Sequence, residues 1–140
     1  MFREKRKKID LTPKLTLAIV LLYMIGIDNE VTHDETTYLI SVMHGDSHII
    51  KEANEYLQNA IKMDLSFEMF LDESIKILTE NQKECIIINL IDIMLVDGVV
   101  RKNEQKLLDF ILKKYQFDTK KYSMYKEMIT IKNDHSIFNI

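Results

Sequence analysis

Residues 95–104 read Leu95-Val96-Asp97-Gly98-Val99-Val100-Arg101-Lys102-Asn103-Glu104, and residues 26–35 read Gly26-Ile27-Asp28-Asn29-Glu30-Val31-Thr32-His33-Asp34-Glu35. Each stretch closes an apolar run, bends just after an aspartate, and places a glutamate seven residues past it. Asp28 and Asp97 are 69 positions apart, and the same offset lays Val31 on Val100, Glu35 on Glu104, Leu21 on Leu90 and Leu39 on Leu108. A single Asp-to-Glu spacing arises easily by chance. The same spacing twice, in the same context and at one register, does not. The chain therefore reads as two copies of a helix, acidic turn, helix unit. Each copy has a valine two places after the bend, expected to be buried, and a glutamate at the third position of the following helix.

Outward from these turns the apolar residues recur at helical spacing. Pro13 suits the first turn of a helix, with Thr12 or Asp10 as cap, and the apolar run to about Ile27 marks that helix as central. Thr32 with Glu35 forms a capping box, opening a helix that stops at Gly45. Asp46-Ser47 caps a third helix to about Met63, with Ile49, Ile50, Ala53, Tyr56, Leu57, Ala60 and Ile61 as its apolar stripe. Ser66 opens a fourth. Thr79 with Gln82 is a second capping box, leading into an apolar helix that ends near Val96. A sixth helix runs from about Lys102 to Tyr115, and a seventh, capped by Asp118, from Thr119 to about Ile129. The expectation is an all-α bundle of about seven helices with two pseudo-twofold-related halves. Residues 1–12 form a basic tail, 13–130 one helical domain, and 131–140 a C-terminal tail.

Composition agrees. Three Gly and one Pro are too few for a fold rich in tight turns, and eight Met supply adaptable core filling. With 46% hydrophobic and 29% charged residues the chain is expected to be a water-soluble globule. No apolar stretch reaches the roughly 20 residues that span a bilayer, and Pro13 after the basic start argues against a signal peptide. A cytoplasmic location, at most peripheral to the inner membrane, is expected. The net charge of −3 argues against general nucleic-acid affinity. Arg3, Lys5, Arg6, Lys7 and Lys8 are a local exception: a solvated terminus first, or a contact for anionic lipid or RNA. The single Cys85 reads as a small buried hydrophobe.

The two turns resemble the signature of TerB-like domains, found in tellurite-resistance proteins and at the start of some membrane-linked DnaJ-type co-chaperones: an apolar helix, Asp-Gly, a Val, then Glu, in two halves. Residues 95–104 match it well, and residues 26–35 match with Asn29 at the glycine position, a mild change because Asn tolerates a left-handed backbone. The resemblance covers roughly residues 15–112. It implies an all-helical pseudo-twofold bundle with acidic residues clustered where the turns approach each other, and a role in stress response or at the inner face of a membrane.

Three readings of Asp28, Glu35, Asp97 and Glu104 stay open. They form a site for a hard cation such as Ca²⁺ or Mg²⁺, an acidic patch that docks a protein partner, or structural caps for the turns and helix starts. Arg101 and Lys102 in the second copy weaken a symmetric metal site. Neither turn is a regular EF-hand loop: counted from Asp28, position six is His33 and position twelve Leu39. His33, His44, His48 and His135 are too scattered for a zinc motif. Asp92, in an apolar helix, needs a partner, and the repeat register nominates Tyr23. No phosphate loop, nucleophile elbow or metalloprotease motif is present. A non-enzymatic TerB-like module is the leading expectation, with structural caps the favoured reading of the four carboxylates and a divalent-cation link the next. A plain protein-interaction domain and a metal-dependent enzyme using the four carboxylates are the alternatives.

Overall fold

Seven α-helices and one 3-10 turn make up the regular structure among the described residues: α1 (Pro13–Gly26), α2 (His33–Val42), α3 (Ser47–Lys62), α4 (Phe67–Ile77), α5 (Glu80–Leu95), α6 (Lys102–Lys114), α7 (Thr119–Asn133) and the turn Ser136–Phe138. They come from a computed structural model that describes residues 10–28, 31–96, 98 and 100–139. Asp97, Asn29 and the basic residues Arg3, Lys5, Arg6, Lys7 and Lys8 lie outside the described residues.

The helix starts follow the side chains that the sequence supplies. Thr12, Asp46, Ser66 and Asp118 each accept a hydrogen bond from an amide in the first turn of α1, α3, α4 and α7. Both capping boxes form: Thr32 with Glu35 opens α2 and Thr79 with Gln82 opens α5. Each such cap contributes about 1 kcal/mol by satisfying amides that have no intrahelical acceptor.

Helices α1 and α5 pack against each other at the centre, which is why both are apolar nearly all round. Leu15, Ile19, Leu21 and Met24 of α1 and Ile87, Leu90, Ile91 and Met94 of α5 are fully buried. α1 also packs on α2 and α3, and α5 on α6 and α7, so the repeat extends through the packing as well as the turns. α4 joins the halves, touching α1 on one side and α6 on the other. Its Ser74 is completely buried, its hydroxyl bonded to the Leu71 carbonyl at 2.7 Å and the Tyr115 hydroxyl at 2.9 Å.

Several local expectations are corrected. Val31 and Val100 are 61% and 49% exposed, not buried. A valine just before a helix cap packs only if the fourth helical residue is apolar, and here those residues are Thr36 and Gln105. The α3 stripe is buried fully only at Ala53, and Ile61 at its end is 80% exposed. α7 continues four residues beyond Ile129, because Lys132 and Asn133 both find a partner on α5. At the end of α2 the first left-handed residue is His44 (φ 53°), with Gly45 following it (φ 72°) and donating to the Ile40 carbonyl at 2.9 Å. Cys85 is exposed rather than buried, with the Asn89 amide nitrogen 3.4 Å from its sulfur.

Candidate functional site

The repeat places Glu35 and Glu104 alike, each at the third position of its helix, and both side chains are buried, at 1% and 2% exposure. Their local chemistry differs. The Glu35 Oε1 accepts from the Thr32 amide at 3.2 Å and the Thr32 hydroxyl at 2.9 Å, completing its capping box. In the second copy the cap position holds Arg101, which makes no side-chain cap bond. Its guanidinium instead reaches Glu104 Oε1 at 3.4 Å. Glu104 Oε2 is buried without a hydrogen-bond partner, and so is Asp28 Oδ2.

These groups sense one another. Burial, then the charge of Glu35, pushes the Glu104 carboxyl up to about 7, with Arg101 opposing and Asp28 adding to the rise. Glu35 and Asp28 thus lie within electrostatic reach of Glu104. Gly98 in the second turn is left-handed (φ 77°), the conformation that the Asp-Gly pair suggested. Among the described residues no set of three or more His, Cys, Asp or Glu is arranged to hold a metal ion. Asp97, the fourth carboxylate of the expected cluster, is outside those residues.

A buried unpartnered carboxylate oxygen is costly, and the raised Glu104 carboxyl shows one way the cost is met, by holding a proton.

The other nominated groups lie apart from this cluster. Asp92 is not bonded to Tyr23. It accepts from Lys132 at 2.8 and 3.0 Å and from Asn133 at 3.0 Å. Burial works to raise Asp92, but Lys132 and Asn133 together hold it below the usual carboxylate range. Tyr23 stacks on Phe67 with ring centroids 3.9 Å apart. The hydroxyl beside this network is Tyr38, which donates to Asn89 at 2.9 Å and is held strongly protonated by burial and by Asp92. Sequence reasoning missed Tyr38, whose signal was its place on the buried face of α2 opposite Asn89. His48 pairs with Glu52 at 2.6 Å, and His44 sits in the turn between α2 and α3. Arg101 as the partner of Glu104 was legible only as the basic residue standing where the first copy has Thr32.

Fold and site together define a duplicated helical module with a buried glutamate at the third position of α2 and of α6. The family model described as "Tellurite resistance protein TerB" matches residues 14–126, and the chain belongs to the TerB family. No curated protein and no solved structure matches it.

Proposed function

We propose that this chain is a non-enzymatic TerB module that takes up a hard divalent cation, Ca²⁺ or Mg²⁺, between its two turns, within a stress-response role of the kind its family name describes. Asp28, Glu35, Asp97 and Glu104 supply the carboxylates. The observation that supports this most directly is the pair of buried oxygens, Asp28 Oδ2 and Glu104 Oε2, that have no hydrogen-bond partner. A cation between them would remove the like-charge repulsion that raises Glu104. Glu35 would contribute through its second oxygen, since Oε1 serves the helix cap.

A second reading has its own support. The complete Thr32–Glu35 capping box and the Arg101–Glu104 pair account for part of each carboxylate structurally. On that reading the module binds a protein, and the acidic turns only brace it.

Thermal unfolding after chelator treatment separates the two, with Ca²⁺, Mg²⁺, Mn²⁺ and Zn²⁺ returned singly. A cation bound only by the folded state adds about 2.7 kcal/mol at a hundredfold excess over its dissociation constant. A rise for Ca²⁺ or Mg²⁺ that disappears in Asp28→Asn and Glu104→Gln supports the cation site. No rise with any ion discards it and leaves the structural reading.

A further inference from the structure

The two halves share a register but not a surface. In the first half a groove of about 570 Å³ opens beside α1, α2 and α3, lined by Leu22, Leu39, Ile50 and Leu57 among others. Val31 and Ile40 border it and are 61% and 48% exposed. Among the described residues no charged side chain lines it. A second groove of about 550 Å³ shares Leu22, Gly26 and Leu57 with the first and extends to Ile61.

In the second half the same place is bridged. The 69-residue offset puts Gln105, Asp109, Tyr122 and Lys126 where the first half has Thr36, Ile40, Ala53 and Leu57. The Gln105 amide nitrogen donates to the Asp109 carboxylate at 2.9 Å and to the Tyr122 hydroxyl at 3.1 Å, and its oxygen accepts from Lys126 at 3.4 Å. These bonds tie α6 to α7. Thr36 instead donates back to the Thr32 carbonyl at 3.2 Å, and Ile40, Ala53 and Leu57 have no polar side-chain atom to offer.

Gly26 makes the same distinction. It is the last residue of α1, its φ is not positive, and a Cβ added to it would meet no atom within 4 Å. Neither the backbone nor a close neighbour requires glycine there. Its counterpart in the second half is Leu95, which is buried. One half carries a leucine at the register position that the other leaves empty.

We propose that the groove beside Gly26 takes an amphipathic helix of another protein, with a leucine, isoleucine or methionine side chain seated over Gly26. The second half supplies the chemistry of the occupant, since a buried leucine stands at this position there. The open border at Val31 and Ile40 argues for a helix over a small ligand, which needs a pocket that encloses most of its surface. A third helix laid in such a groove buries its apolar face and keeps the other in water. The adjoining groove has room for a second apolar side chain at helical spacing. Asp28, Glu35 and Glu104 line neither groove, so the docking does not depend on a cation in the turns.

The test is selection from a displayed library of helices about 15 residues long on the immobilised full chain. Enriched sequences should carry aliphatic side chains at i, i+3 or i+4, and i+7. They should bind Gly26→Leu and Ile40→Asp about tenfold more weakly than the parent. Gly26→Leu enters open space, so it should unfold at no lower a temperature than the parent. Ile40→Asp, at an exposed position, carries the same test without altering α1. Met128→Glu, exposed on α7, should bind as the parent does. The proposal is overturned if no helix is enriched, if the binders lack the aliphatic spacing, or if they hold Gly26→Leu as tightly as the parent. Self-association of the parent that Gly26→Leu abolishes also overturns it, and assigns the groove to a second copy of the chain. Saturable binding of decanol with no helix enriched assigns it instead to a small aliphatic ligand.

Discussion

Glu35 and Glu104 occupy the same position in the two repeats and are almost equally buried, yet Glu35 accepts from the amide and hydroxyl of its cap Thr32, whereas Glu104 accepts, among the described residues, only from the guanidinium of its cap Arg101, at 3.4 Å. The pair therefore gives opposite mutational signs. Glu35→Ala removes both bonds to Thr32 and should destabilise the protein by about 1–2 kcal/mol. Glu104→Gln keeps the shape and removes the charge that repels Glu35. In chelator at pH 8 it should be neutral or stabilising by urea denaturation. A loss from Glu104→Gln as large as that from Glu35→Ala would mean that the Arg101 contact outweighs the repulsion.

The raised Glu104 carboxyl also sets a pH dependence. Its folded value of about 7 lies above the ordinary 4.5, so between those values the folded state holds a proton that the unfolded state has released. Unfolding then releases protons, and stability falls as pH rises through that window. The ceiling on the effect is about 3 kcal/mol. Urea midpoints measured in chelator from pH 5 to 8 should decline for the parent protein and stay flatter for Glu104→Gln. Equal slopes would show that Glu104 does not titrate there.

Asp92 carries the opposite sign. It is held low by Lys132 and Asn133, so its contribution is present at neutral pH and lost as pH falls through its depressed folded value. Asp92→Ala should cost about 1–3 kcal/mol at pH 7, because a partly buried charged network is broken. Lys132→Ala should cost less, since that side chain is 59% exposed. Amide exchange should quicken first in the last turn of α7. Uniform quickening along the chain would place Asp92 in the global core instead.

Much of this fold was legible because its signals are local. Thr12, Thr32, Asp46, Ser66, Thr79 and Asp118 cap the helices that their positions nominated, and capping depends on a few adjacent residues. The length of α7 was less legible, because its last turn is secured by Asp92, some forty positions upstream. The repeat offered a signal that went unused: α3 ends at Lys62, and the same offset from it reaches residue 131. Of the site, the register of Glu35 and Glu104 was readable from spacing alone. Their different bonding was not, since it turns on whether Thr32 or Arg101 stands at the cap. The exposure of Val31, Val100 and Cys85 depended on tertiary neighbours, which periodicity does not report.

Helix ends give a paired test of backbone strain. α6 closes with Gln116 in the left-handed region (φ 52°), followed by Phe117, whose amide donates to the Leu112 carbonyl at 3.0 Å. A left-handed conformation costs a non-glycine residue about 1–2 kcal/mol. Glycine there removes that cost but loosens the unfolded chain, which returns roughly 0.4–1 kcal/mol of it. Gln116→Gly should therefore raise the urea midpoint by an amount worth about 0.5–1 kcal/mol, with the slope unchanged. Gly98 (φ 77°) is the mirror case. A Cβ added there meets no atom within 4 Å, so Gly98→Ala tests the dihedral without a clash. It should lower stability by about 1 kcal/mol. If both substitutions move the midpoint the same way, something other than backbone conformation governs these two turns.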